Sequence, residues 1–177
     1  IQIHNKDVQL FGVGDDWQAI YGFSGGDISI IVKNFEKYFG NRNKKDLGLT
    51  YRFNQRLCEL TSSFIQQNSN QLPKNIKGIK EYNDVPVEII RQKDKSNFEI
   101  DFSLKINLLN NLDNIFRSDP NAKEILFLSR YNDYIYKNGY EDLKKYLHSI
   151  FKSKKINIKF STIHSAKGSE ADYVFIL

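Results

Sequence analysis

Apolar positions along this chain follow two rhythms, and the switch between them predicts strands alternating with helices. DVQLFGVGD, Asp7 to Asp15, alternates and then runs apolar into Gly12 and Gly14, as a buried strand ending at a ligand-facing turn would. In DISIIVKNFEKYF, residues Ile28, Ile31, Val32, Phe35 and Phe39 have helical spacing, and Asp27 is placed to cap the start. LGLTYRF (47–53) reads as a short strand and NQRLCELTSSFIQQN (54–68) as a helix opened by Asn54. Residues 69–83 are polar, lysine-spaced and carry Pro73, which predicts a loop. VPVEIIRQ (85–92) predicts a strand, 97–116 mostly helix, EILFLSRY (124–131) an apolar strand, and 139–151 a helix before the basic KSKK (152–155). INIKFSTIH (156–164) and DYVFIL (172–177) predict two closing strands. Apolar strands alternating with helices argue an α/β fold with a parallel sheet flanked by helices. GNRNKKD (40–46) is basic and bare of apolar residues, the best candidate for a linker between two packed units.

Composition narrows the class only a little. The 177 residues suffice for one ordinary domain, or one domain plus part of another. A hydrophobic content of 40% with 27% charged residues is that of a globular protein, and no apolar run approaches the ~20 residues that span a bilayer. The chain begins at Ile1 inside what reads as folded sequence, with no basic-then-apolar signal segment, so an excised fragment is expected. A formal charge of +5 and a pI near 9.1 favour a polyanionic partner, but only mildly. One cysteine, Cys58, rules out an internal disulfide and a cysteine-cluster zinc site, and its helical surroundings suit a buried core thiol.

Open α/β sheets hold ligands beyond the carboxyl ends of their strands, so polar turns at those ends carry the candidate chemistry. In the first, GDDWQAIYGFSGGD, Asp15 and Asp16 can hold water or the turn itself. Gln18 offers both a donor and an acceptor, as contact with a terminal phosphate oxygen or an oriented water requires. Tyr21 and Phe23 supply flat faces for base stacking; aromatics packed inward on the turn are the bland alternative. In the second, LTYRFN, Arg52 just past a strand end could serve a phosphate as a charged fork, or form a surface ion pair. Tyr51 beside it could stack on a nucleotide base. In the third, STIHSAKGSEADYVFIL, Thr162 and His164 share one side of a strand and can donate to a nucleic-acid backbone. Ala166-Lys167-Gly168 makes a tight cationic turn, and Glu170 could accept from a ribose hydroxyl. A packed histidine is the commoner fate of such a residue, and no carboxylate partner is visible to make His164 a base.

These three stretches, in this order, resemble motifs III, IV and V of superfamily 1 DNA helicases of the UvrD/Rep/PcrA type. The tryptophan of GDDWQ, the phenylalanine of YRFN and the ADYV ending resemble the helicase IV branch most. The likeness is nearly continuous from Val8 to about Asn68 and again from Glu124 to Leu177, and weak between them. It implies RecA-like folds: residues 1–45 as the C-terminal part of the first helicase domain, and 46–177 as the second, cut before the last motif. It implies that Gln18 senses the terminal phosphate of ATP and that Arg52 reaches the γ-phosphate as an arginine finger, these two being the catalytic residues. Tyr51, Gly168 and Glu170 would join them in binding the nucleotide. Tyr21, Phe23, Thr162 and His164 would meet single-stranded DNA, as would Arg130 and Asn132 of SRYN, a weaker family element. The implied activity is that of a 3′-to-5′ helicase or translocase in repair or recombination, using ATP and Mg2+ on single-stranded or partly duplex DNA. A bacterial cytoplasmic, nucleoid-associated protein with no membrane partner is expected.

Departures from the pattern stand beside these expectations. Many members carry arginines where this chain has Gly22 and Ser24. The interval from Arg52 to Thr162 leaves no room for the full 2B subdomain that UvrD and Rep place there. No G-x-x-x-x-G-K-[ST] phosphate loop occurs, nor an acidic magnesium-binding box, so no metal ligands and no independent ATPase activity are expected of these residues. Two other readings stay open: a nucleic-acid-binding module without an ATPase role, and the motor part of a RecB- or AddA-like helicase-nuclease.

Overall fold

A computed structural model describes residues 9–80, 87–90, 102–132, 140–151 and 156–177. The chain forms two compact units, Ile1–Glu88 and Ile89–Leu177. Both are α/β, and every strand pairing among the described residues is parallel.

The second unit is built on the apolar strand β3 (Glu124–Ser129), which lies between β4 (Asn157–Thr162) and β5 (Tyr173–Ile176) in the order β4-β3-β5. Three phenylalanines share one register row. Phe127 pairs with Phe160 and with Phe175, and its ring stacks on each at 4.8 Å, tilted by 11° and 14°. Helices α4 (Phe102–Ser118) and α5 (Tyr140–Phe151) bring their apolar stripes to that face. Leu108 and Leu112 from α4 and Leu143, Leu147 and Phe151 from α5 close a core with Ile125, Phe127 and Ile158. The i, i+4 spacing of these helical residues is what puts them on one side of each helix. Asp172 fastens the start of β3: its carboxylate accepts from the backbone N–H of Lys123 at 2.8 Å and of Glu124 at 3.0 Å.

In the first unit, β1 (Leu49–Asn54) runs into α3 (Gln55–Ile65), which returns the chain to β2 (Lys77–Lys80), parallel to β1. Asn54 caps α3 as expected, its Oδ1 accepting from the N–H of Leu57 at 2.8 Å. Cys58 is the expected core thiol, 1% exposed and donating to the carbonyl of Ile76. At Gly78 the strands come so close that a Cβ would lie 2.6 Å from the carbonyl carbon of Asn54, so this position needs glycine for space.

Several elements differ from expectation. β2 lies inside the stretch read as loop; KGIK has one apolar residue, and its ladder to β1, not side-chain alternation, makes it a strand. Residues 9–15, read as strand, form none: Leu10, Phe11 and Val13 are exposed, and the segment pairs with no strand among the described residues. A lone extended segment has no ladder to hold it. Residues 87–90 of the expected 85–92 strand are likewise irregular, and the rest of that strand lies outside the described residues. The helix expected over 27–39 is two short ones, α1 (Ser29–Val32) and α2 (Phe35–Phe39), broken at Lys33-Asn34. Asp27 still organises its start, accepting from both the N–H and the hydroxyl of Ser29 at 2.8 Å. Residues 40–46 form neither helix nor strand and are exposed throughout, and they lie within the first compact unit, not between the two. KSKK lies outside the described residues.

Candidate nucleotide and nucleic-acid site

The opening turn is shaped by its two aspartates. Asp15 accepts from the N–H of Trp17 at 3.1 Å, starting a single 3-10 turn over Asp16–Gln18. The amide Nε2 of Gln18 donates to the other Asp15 oxygen at 2.8 Å. Asp16 is 5% exposed, accepts from the N–H of Leu72 at 2.7 Å, and forms an ion pair with Lys74. Lys74 Nζ also reaches Asp15 Oδ1 at 2.6 Å and lies 5.0 Å from the Trp17 ring centroid. The Trp17 indole in turn donates to the carbonyl of Leu72 at 3.0 Å. Partial burial pushes the Asp15 carboxyl up, but hydrogen bonds from Lys74 and Gln18 outweigh it and hold the group below the ordinary aspartate range. Burial likewise pulls Lys74 down, and its bonds to Asp15 and Asp16 more than reverse that, so it stays charged above the usual lysine value.

A second 3-10 turn follows at Gly22–Ser24, and Gly25 leaves it with φ +83°, in the left-handed region. The rings of Tyr21 and Phe23 meet edge to face at 6.0 Å and are 40% and 77% exposed. The inward-packed alternative for these aromatics is therefore not what the turn adopts. In β1, Tyr51 and Arg52 are both exposed. Arg52 lies within the strand, which runs on to Asn54, and not past its end as the sequence suggested. The pairing of β1 with β2 shifts register between Thr50 and Asn54, which interrupts the even alternation there.

In the second unit, β3 and β4 end side by side. Ser129 is in register with Thr162, and the N–H of Ile163 donates to the Ser129 carbonyl at 2.9 Å. Arg130 and Asn132, both exposed, therefore leave the same carboxyl edge of the sheet as residues 163–170. The Arg130 Nε donates to the Tyr131 hydroxyl at 3.0 Å. β4 stops at Thr162, so His164 sits in the following turn and does not share a strand face with it. The Thr162 side chain is buried at 8% exposure and organises that turn, donating to the Ser165 hydroxyl at 2.9 Å and accepting from its N–H at 3.1 Å. The turn winds on through Ala166 N–H to the Thr162 carbonyl and Ser169 N–H to the Ala166 carbonyl. Gly168 has φ +83°, with open space where a Cβ would go, so conformation and not crowding calls for glycine here. Glu170 is exposed beyond it.

Sequence reasoning missed Lys74, whose role depends on partners more than fifty residues away, and Asp172, which lies in a recognised motif but serves β3. Among the described residues no group of three or more His, Cys, Asp or Glu could hold a metal ion, and no helix is long and apolar enough to cross a membrane.

No family model matches the chain, and no solved structure matches it. Curated relatives do. The chain is 36% identical to DNA helicase IV of Escherichia coli K12 over 173 residues, 98% of this chain and 22% of that protein. It is 36% identical over 75 residues to the ATP-dependent DNA helicase PcrA of Bacillus subtilis, covering 42% of this chain and 10% of the relative. The PcrA of Leuconostoc citreum is 32% identical over 71 residues, 40% of this chain and 9% of that one. The chain thus spans between about a tenth and about a fifth of the relatives it matches. With parallel α/β sheets and this identity along nearly its whole length, the chain belongs to the superfamily 1 DNA helicases of the UvrD/Rep/PcrA type.

Proposed function

We propose that these residues are part of an ATP-dependent 3′-to-5′ DNA helicase that moves along single-stranded DNA in repair or recombination. Residues 1–45 are the tail of its first RecA-like domain and 46–177 most of its second. The observation that carries the reading is the identity to a helicase across 98% of the chain. The side chains supply fitting chemistry. Gln18 serves the phosphate side of the ATP substrate, and Arg52 stabilises charge on the transferring phosphoryl group. Tyr51, Gly168 and Glu170 contact the rest of the nucleotide. Tyr21 and Phe23 are exposed stacking faces for bases, and Arg130, Asn132 and His164 supply donors to the strand, with Thr162 setting the turn that carries His164. Mg2+ belongs to ligands elsewhere in the parent protein, and the parent works in the bacterial cytoplasm at the nucleoid.

The test uses the full-length parent with ATP and tailed duplexes. Unwinding of 3′-tailed but not 5′-tailed substrates, with hydrolysis stimulated by single-stranded DNA, is expected. In the same assay Arg52→Ala lowers kcat by roughly 10³-fold or more while nucleotide binding weakens far less. A kcat within a few-fold of the parent would make Arg52 a surface ion-pair residue and remove the finger.

A further inference from the structure

We infer that Lys74 is a positioning residue for Gln18, acting through Asp15 to fix which end of the glutamine amide faces outward. The inference rests on the phosphate-side role proposed for Gln18. An ionised carboxylate only accepts hydrogen bonds, so the Gln18 amide facing Asp15 Oδ2 at 2.8 Å must present its Nε2. Its carbonyl Oε1 is thereby turned away from Asp15 as an acceptor. An acceptor orients an attacking water by accepting a hydrogen bond from it; a donor would instead bond a phosphate oxygen. Gln18 could do either on sequence grounds; the bond to Asp15 uses one of the two Nε2 hydrogens and selects Oε1 as the end turned away from the carboxylate.

That selection lasts only while Asp15 itself is held. Both of its oxygens are assigned: Oδ1 takes the Trp17 N–H at 3.1 Å and the Lys74 ammonium at 2.6 Å, leaving Oδ2 for Gln18. Lys74 is held from two further sides, by its ion pair with the buried Asp16 and by the face of Trp17, 5.0 Å away. The loop that carries Lys74 is pinned beside it, Leu72 donating to Asp16 and accepting from the Trp17 indole. The Lys74 side chain is only 22% exposed, so solvent screens this cluster less than it would a surface pair. Lys74 and Gln18 both lie in the first compact unit, Ile1–Glu88.

The experiment measures single-strand-stimulated ATP hydrolysis by the full-length parent and its Lys74→Ala, Lys74→Arg, Asp15→Asn and Gln18→Ala variants, with a Lys74→Ala/Gln18→Ala double variant. Lys74→Ala and Asp15→Asn are expected to lower kcat by about 10- to 100-fold, as a misoriented group does, with KM for ATP changed less than about threefold. Lys74→Arg should recover most of the loss, and the double variant should be no slower than Gln18→Ala. Should Lys74→Ala fail to fold, Asp15→Asn decides, because it leaves Lys74 paired to Asp16 and Trp17 anchored. Parental kcat in both variants beside an impaired Gln18→Ala overturns this inference and spares the role of Gln18. Losses that multiply in the double variant do the same. Parental kcat in Gln18→Ala itself removes the phosphate-side reading, and this inference with it.

Discussion

Phe23 and Gly168 show how single positions divide between shape and contact. Phe23 stands 77% exposed on a tight turn, so its ring is not what holds the turn together. Truncating it in the parent should leave thermal stability within about 0.5 kcal/mol, as substitutions at exposed sites do. It should also remove a stacking face worth about 1–3 kcal/mol per base. The expected outcome is an unchanged melting temperature, much of the ATPase retained, and a clear loss of unwinding rate. A core ring would instead cost roughly 3–5 kcal/mol and lower the melting temperature sharply. Gly168 is the opposite kind of position: nothing crowds it, and its φ of +83° is the reason the chain has no side chain there.

At the scale of elements, the turn at 15–18 and the loop at 72–74 behave as one piece because their charges are shared. The direction of each shift sets a pH window. The folded-state value of Asp15 is depressed, so its stabilisation is present above the unfolded aspartate value of about 4 and is lost as pH falls through the folded value. The value for Lys74 is raised, so its contribution is complete below about 10.5 and is lost as pH rises through the folded value. The melting-temperature difference between the parent and Lys74→Met should therefore be flat from about pH 5 to 10 and shrink outside it. Asp15, whose side chain is 40% exposed, keeps the whole effect modest. A difference that does not change with pH would mean that Lys74 contributes packing and not charge. β2 belongs to the same scale: it is a strand because Lys77 and Gly78 pair with Leu49 and Thr50, and Gly78 lets the two backbones approach.

For the whole molecule, the two compact units carry different shares of the proposed chemistry. Gln18, Tyr21, Phe23, Tyr51 and Arg52 belong to the first, and Arg130, Asn132, Thr162, His164, Gly168 and Glu170 to the second. Neither sequence contains a phosphate loop. The isolated 177 residues should therefore hydrolyse no measurable ATP with single-stranded DNA present, since positioning of the phosphates and metal is most of what phosphoryl transfer needs. Steady-state turnover that survives repurification and scales with the concentration of the chain would show that the missing elements are dispensable.

What the order of residues determined on its own was local and periodic. The apolar run of β3, the i, i+4 spacing of α4 and α5 and the Asn54 cap are each decided within a few neighbours, and each was legible. So were the three motif stretches that carry the family resemblance. Tertiary structure decided whatever depends on a distant partner. A polar stretch became β2 because β1 offered it a ladder, while the more apolar residues 9–15 found none among the described residues and stayed irregular. The end of β4 at Thr162, which moves His164 off the strand, follows from hydrogen bonds to Ser165 that no periodicity announces. Lys74 could not be read as a neighbour of Gln18, because electrostatic and hydrogen-bond partners are chosen by proximity in space, and these two are brought together only when α3 and its loop return the chain.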